Sequence, residues 1–215
     1  MSTVILTESP LTTAPPADDD GVSPIVVRFA PLITLDDQAF MQFADQNPEY
    51  RFEQNSAGEL VIMAPTGMQS GSSNFGIIGQ LFLWSQKHRF GKCFESSTMF
   101  NLPNGARRSP DASWITQEKW DQLSKKQRQL FGPFCPDFVV ELRSRTDRLR
   151  DLQAKMQEYL ANGAQLGWLI DPLNKTVHVY RPGLPVEILT NPLMVSGDPL
   201  LPGFALELNE IWEPT

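Results

Sequence analysis

Two short apolar runs in the C-terminal half leave this chain few ways to fold. Phe138-Val139-Val140-Glu141-Leu142 and Leu166-Gly167-Trp168-Leu169-Ile170 each read as a strand buried on both faces. Between them, Leu149, Leu152, Met156, Tyr159 and Leu160 recur at helical spacing, from a cap at Asp147 to Ala161, and Asn162-Gly163 supplies a stop. Strand, helix, strand is a βαβ unit, and its right-handed crossover makes the two strands parallel. The turn Asp171-Pro172-Leu173-Asn174 then sends Thr176–Tyr180 back as a hairpin partner.

Upstream elements are antiparallel in character. Thr34 is the expected cap of a short helix from Asp36 to Gln46. Arg51–Glu53 and Leu60–Met63 flank the turn Ser56-Ala57-Gly58 and read as a hairpin. A long helix is expected over 72–90, with Phe75, Ile77, Ile78, Leu81, Phe82 and Trp84 on a broad apolar face and Gly91 at its end. Strands are expected at 92–100 and 110–116, joined by Pro103-Asn104-Gly105, and a polar helix at 117–130 with Trp120 and Leu123 facing in. Beyond 180 the chain reads as loop and a short strand to Trp212. The expected class is α/β with a mixed central sheet flanked by helices, preceded by a helix-hairpin extension. A single domain over 26–215 follows, with 1–25 a loosely ordered tail rich in Thr, Ser, Pro and Asp.

Glu141 is the anomaly. It sits in the middle of an apolar strand, where a carboxylate is costly unless paired or bound to a cation. Side chains alternate, so Val139, Glu141 and Arg143 share one face and Phe138, Val140 and Leu142 the other. Asp111 begins another strand after Ser109-Pro110. Where the two strands are neighbours, both carboxylates can hold one Mg²⁺, which prefers oxygen ligands and water. At about 100° per residue, Lys155 falls roughly 40° outside the apolar stripe of its helix and leans toward the end that adjoins Glu141. There it could stabilise charge developing on a phosphoryl group. A lysine at such a margin more often snorkels to solvent.

Other acidic residues compete less well. Glu53 is an accessory candidate, although a hairpin glutamate more often faces solvent, and Glu95 is similar. Asp137 shares the Glu141 face but lies roughly 13 Å along the strand at 3.3 Å per residue, too far to share an ion, and reads as a cap or turn residue. His88 and His178 offer no ligand pattern. The stretch 67–79, with Ser72 and Ser73, lacks the lysine of a phosphate-binding loop.

Composition excludes some classes. At 215 residues the chain can bury a sizeable core, and no apolar run reaches the roughly 20 residues of a membrane span. The two cysteines, Cys93 and Cys135, suggest neither a disulfide framework nor a metal site. With no basic, apolar leader, a cytoplasmic location is the default expectation. A net charge of -7 argues against a non-specific nucleic-acid binder held by bulk charge. Arginines 107, 108, 143, 145, 148 and 150 nevertheless gather around the acidic pair.

These segments resemble the Uma2 family, formerly DUF820, of restriction-endonuclease-like proteins. The marks are Glu53 with Gly58–Gly67, Ser109-Pro110-Asp111, Pro136–Ser144, Lys155-Met156-Gln157-Glu158-Tyr159, Gly163 and Trp168–Pro172, over about residues 35–185. The resemblance implies a PD-(D/E)XK nuclease core of αβββαβ order, Mg²⁺ dependence with Mn²⁺ as substitute, DNA as substrate and a homodimer. It places Asp111 and Glu141 as metal ligands and Lys155 as the lysine on the following helix. Arg143 stands where the superfamily has its lysine, and Met68-Gln69-Ser70 where many relatives have a histidine. Arginine cannot shuttle a proton, so Arg143 is an accessory candidate only. The first expectation is a Mg²⁺-dependent DNA endonuclease. The alternative is a catalytically inactive nuclease-fold domain that binds nucleic acid or protein.

Overall fold

A computed structural model describes residues 24–29, 32–63 and 65–213. In chain order the strands are β1 (Ile25–Val27), β2 (Arg51–Gln54), β3 (Leu60–Met63), β4 (Gly91–Glu95), β5 (Phe100–Asn101), β6 (Arg107–Arg108), β7 (Ala112–Thr116), β8 (Phe138–Leu142), β9 (Leu166–Asp171), β10 (Thr176–Tyr180), β11 (Glu187–Thr190), β12 (Met194–Ser196) and β13 (Ala205–Glu207). The α-helices are α1 (Asp37–Gln46), α2 (Met68–His88), α3 (Gln117–Gln122), α4 (Leu149–Ala161) and α5 (Asn209–Trp212).

A six-stranded sheet in the order β11-β10-β9-β8-β7-β4 forms the centre. β8 and β9 are parallel and the other pairs antiparallel, as a βαβ unit extended by hairpins requires. A second sheet, β1-β3-β2-β6-β5, carries the N-terminal hairpin. The alternation read from β8 holds. Phe138, Val140 and Leu142 pack with Ile77, Leu81 and Trp84 of α2 and with the C-terminal residues, whereas Val139 packs with Met156 and Tyr159 of α4. The β5–β6 hairpin joins that second cluster through Phe100, Leu102 and Ala106. The small sheet therefore lies on the α4 side. Gly167 makes the α4 contact close, since a Cβ there would collide with the Met156 methyl.

Several expectations shift. Asp36, rather than Thr34, caps α1, its Oδ1 accepting from Ala39 N–H at 2.8 Å. α2 begins at Met68, four residues earlier than its apolar face suggests. Asp147 does not cap α4: its Oδ2 accepts from Ser144 N–H at 2.8 Å, and the cap position is Arg148, whose side chain makes no capping bond to the helix start. The helix expected at 117–130 is two short pieces, because its polar residues bury little. The tail after 180 is not loop alone. β11 joins the large sheet, β12 and β13 pair, and Leu206, Leu208, Ile211 and Trp212 enter the core. β1 was not expected, and it pairs with β3. The proposed tail lies almost wholly outside the described residues.

One departure matters for function. The strand expected at 92–100 breaks in two, β4 and β5, whereas the one expected at 110–116 is β7, preceded by the separate short strand β6. The Glu95 carboxylate accepts from Ser97 N–H at 2.9 Å, and Thr98 N–H bonds Glu95 C=O at 3.0 Å. This turn lifts the chain off the large sheet, so β5 and β6 join the small one beside β2. Cys93 and Cys135 are free thiols, and no described helix is long and apolar enough to cross a membrane.

Two glycines give opposite predictions. A Cβ on Gly91 would strike the Ile115 carbonyl oxygen of β7, which is backbone and cannot turn aside. Gly79, inside α2, has open space around its Cβ position. Gly91→Ala should lower unfolding free energy in urea by about 2–3 kcal/mol. Gly79→Ala should raise it by about 0.5–1 kcal/mol through helix propensity.

Candidate active site

Four elements converge on one buried ammonium. Lys155 Nζ lies 2.9 Å from Glu141 Oε1 and 2.9 Å from Glu53 Oε1. All three side chains are at least nine-tenths buried. Glu141 comes from the middle of β8 and Glu53 from β2, which is paired on both sides by β3 and β6. Lys155 and Tyr159 stand one turn apart on α4, and Tyr159 OH donates to Glu141 Oε1 at 2.9 Å.

Asp111 approaches from the other flank. β7 and β8 pair Ala112 with Val140 and Ser113 with Val139, so the next step of the register sets Asp111 opposite Glu141. Its Oδ2 accepts from Leu142 N–H at 2.8 Å, which pins the carboxylate to the end of β8. Asp111, Glu141 and Lys155, singled out from sequence, are thus brought together.

Glu53 is also there, and not on the surface. Arg108 Nη1 meets its Oε2 at 3.0 Å, and Ser109 N–H donates to its Oε1 at 2.9 Å. Arg108 Nε is held in turn by Glu158 Oε2 at 2.6 Å, from α4. Sequence reasoning missed this role of Arg108 and the polar role of Tyr159. The signal for Arg108 was its place beside Ser109-Pro110-Asp111; Tyr159 looked like core because its ring is core. Arg143 goes elsewhere. Its Nη1 bonds Asp171 Oδ2 at 3.0 Å and its Nε the Asp147 carbonyl at 3.2 Å. Asp137 is a turn residue, as expected: it accepts from Thr116 N–H at 3.0 Å and pairs with Lys119 at 2.7 Å. His88 stacks on Trp84 at the far end of α2, and His178 sits on β10.

The charges are unequal. Burial pushes the Glu141 carboxyl up to about 8, against the pull of Lys155, and the nearby Asp111 and Glu53 add to the rise. Burial raises Asp111 as well, opposed by the Leu142 N–H and Lys155. Glu53 is buried too, yet Lys155, Arg108 and the Ser109 N–H together outweigh that and hold it below the usual carboxylate value. Burial would strip Lys155 of its proton, but Glu141 and Glu53 overcome it and the ammonium is held more tightly than usual.

This donor set fits a hard divalent cation. Asp111 and Glu141 are opposed across one register step, both raised by burial, with only one ammonium shared among three acids. No protein donor among the described residues meets Asp111 Oδ1 or Glu141 Oε2. No group of three or more His, Cys, Asp or Glu residues among those described is disposed to enclose a metal. Two carboxylates with the remaining positions left to water and substrate oxygens is a Mg²⁺-like arrangement.

The comparisons agree on family and fold. Among solved structures, a protein from Anabaena variabilis ATCC 29413, described as a "putative nuclease belonging to DUF820", superposes with a TM-score of 0.68. The identity is 18%, and the match covers 83% of this chain and 97% of that one, so the likeness is one of fold. No protein of curated function matches. The Uma2 family model, described as "Putative restriction endonuclease", matches residues 37–209, and this chain belongs to that family.

Proposed function

We propose that this protein is a Mg²⁺-dependent endonuclease that hydrolyses phosphodiester bonds of DNA. The observation that carries the reading is the buried Lys155 ammonium at 2.9 Å from Glu141 Oε1, with Asp111 opposite Glu141 across the β7–β8 register. The family's description as a restriction endonuclease, and the description of the Anabaena protein as a nuclease, support it.

Asp111 and Glu141 would hold Mg²⁺ or Mn²⁺ through their carboxylate oxygens. When bound, the cation would polarise a phosphoryl oxygen and lower the pKa of water. Lys155 remains charged, so its part is to stabilise negative charge building on the phosphate and to orient the attacking water, rather than to take a proton. Glu53 and Arg108 are positioning residues. Glu53 holds the ammonium together with Glu141, and Lys155 and Arg108 together keep Glu53 ionised. Tyr159 holds one Glu141 oxygen and thereby aims the other.

Glu141→Gln and Lys155→Ala should each reduce cleavage of plasmid DNA with Mg²⁺ or Mn²⁺ by about 100-fold or more. Glu141→Gln is the safer variant for folding, because burial already favours a neutral side chain at that position. Its melting temperature should match or exceed that of the wild type. Undiminished cleavage in both variants would leave the cluster as a structural ion network in a non-catalytic binding module.

Metal affinity should depend on pH with a definite sign. Below about 8 the Glu141 carboxyl keeps its proton, so a cation must displace it. Calorimetric titration should show Mn²⁺ binding strengthen as pH rises from 6, by up to about tenfold per pH unit for one released proton, and level off above about 8. Affinity that is flat over this range would contradict the assignment of Glu141 as ligand.

A further inference from the structure

A cavity of about 80 Å³ opens at the end of β8 on the α2 side of the sheet, bordered by Ser70, Ser73, Leu142, Ser144, Arg145 and Trp212. It has room for more than a single water. No carboxylate lines it. Arg143 also borders it, with its guanidinium engaged by Asp171.

Three features give the cavity a positive, donor-rich wall. The first is the start of α2, a helix of 21 residues. Its cap is Gly67, which supplies no side-chain acceptor, and its first turn holds no acidic residue. The first intrahelical bond is Gly71 N–H to Gly67 C=O, so the N–H groups of Met68, Gln69 and Ser70 find no acceptor among the described residues. The second is Ser73, one turn on. It is only 4% exposed and lines the cavity, yet its hydroxyl has no hydrogen-bond partner among the described residues. The residue is packed in place, and its hydroxyl, open to the cavity and without a protein partner among those residues, is a donor that a ligand can take. The third is Arg145, an exposed cation at the rim with no ion-pair partner among the described residues.

The cavity adjoins the acid pair through one residue at the end of β8. Leu142 lines it, and the N–H of that same residue holds Asp111 Oδ2. We propose that this cavity binds one phosphate of a nucleic-acid backbone, flanking the phosphate cut at Asp111 and Glu141. The inference rests on the nuclease reading for its substrate and on the cavity alone for its chemistry. The donors are helix amides, a hydroxyl and a guanidinium, which suit a phosphodiester and carry no base preference.

The test uses the full chain without divalent metal, so that nothing is cut. Inorganic phosphate and an unphosphorylated thymidine oligonucleotide are titrated separately while backbone amide resonances are followed by NMR. The oligonucleotide should shift the amides of Met68, Gln69 and Ser70, and at lower concentration than inorganic phosphate does. Arg145→Gln should weaken oligonucleotide binding several-fold for any sequence, and reduce the slope of log affinity against log salt by about 0.7, one single-strand phosphate contact. Ser73→Ala should weaken it without changing that slope. Amides that stay still and a salt slope that Arg145→Gln leaves unchanged would overturn the proposal, even with cleavage intact. Tighter binding of inorganic phosphate than of the oligonucleotide would overturn it in favour of a free-phosphate site. If the amides and the slope respond as expected but the protein cuts no DNA with Mg²⁺ or Mn²⁺, the phosphate site stands and the nuclease reading falls.

Discussion

The arrangement of this molecule depends on one buried ammonium shared by two sheets. Lys155 is anchored on α4, which packs over the large sheet, and it reaches Glu141 of that sheet and Glu53 of the small one. Arg108 and Glu158 repeat the connection a few ångströms away. Apolar contacts between β5–β6 and α4 would tolerate some sliding. Charges at 2.6–3.0 Å would not. Such buried pairs roughly break even against apolar replacements, so their value is in orientation more than in stability. Losing one partner is another matter, costing on the order of 3–5 kcal/mol where a charge is left uncompensated.

The same lysine leaves its two acids in opposite conditions. Glu53 has Arg108 and a backbone amide besides, and stays ionised. Glu141 has only half of an ammonium and a tyrosine hydroxyl, with Asp111 as a like-charged neighbour, and holds its proton up to about 8. Two carboxylates in one cluster, pushed apart by their surroundings, divide the work: one supports, the other is left wanting positive charge. Asp111 shares that want. This is why the acid pair, rather than the whole ion network, reads as the place where a cation would sit.

How much of this the sequence disclosed depends on how local each cause was. The β8–α4–β9 unit was legible because periodicity and the Asn162-Gly163 stop are properties of neighbouring residues. Strand parity put Glu141 opposite the face of Phe138 and Val140, and helix phase put Lys155 within reach. Glu53 was legible only as an accessory candidate expected to face solvent, since its burial comes from partners far along the chain, Ser109 after β6 and Lys155 of α4. The break after Glu95 was hidden for a different reason. A glutamate whose carboxylate accepts from the backbone and hydroxyl of the residue two positions on can end a strand, but β propensity does not record it. The counter-ion of Arg143 was not legible because Asp171 looked only like the start of a turn. It is that, accepting from Leu173 and Asn174, and also the counter-ion of the arginine.

The register between β7 and β8 has a consequence for when such a protein can act. Asp111 is held by the amide of Leu142, Glu141 needs Lys155, and Lys155 needs Glu53 from the opposite end of the chain. No fragment shorter than residues 53–159 contains the whole cluster, and a chain still being made lacks it until α4 has docked. A partly folded copy therefore carries the acids apart, each free to face water. Under the proposed nuclease reading, the charge network would act as an assembly check, tying reactivity toward DNA to the completed fold.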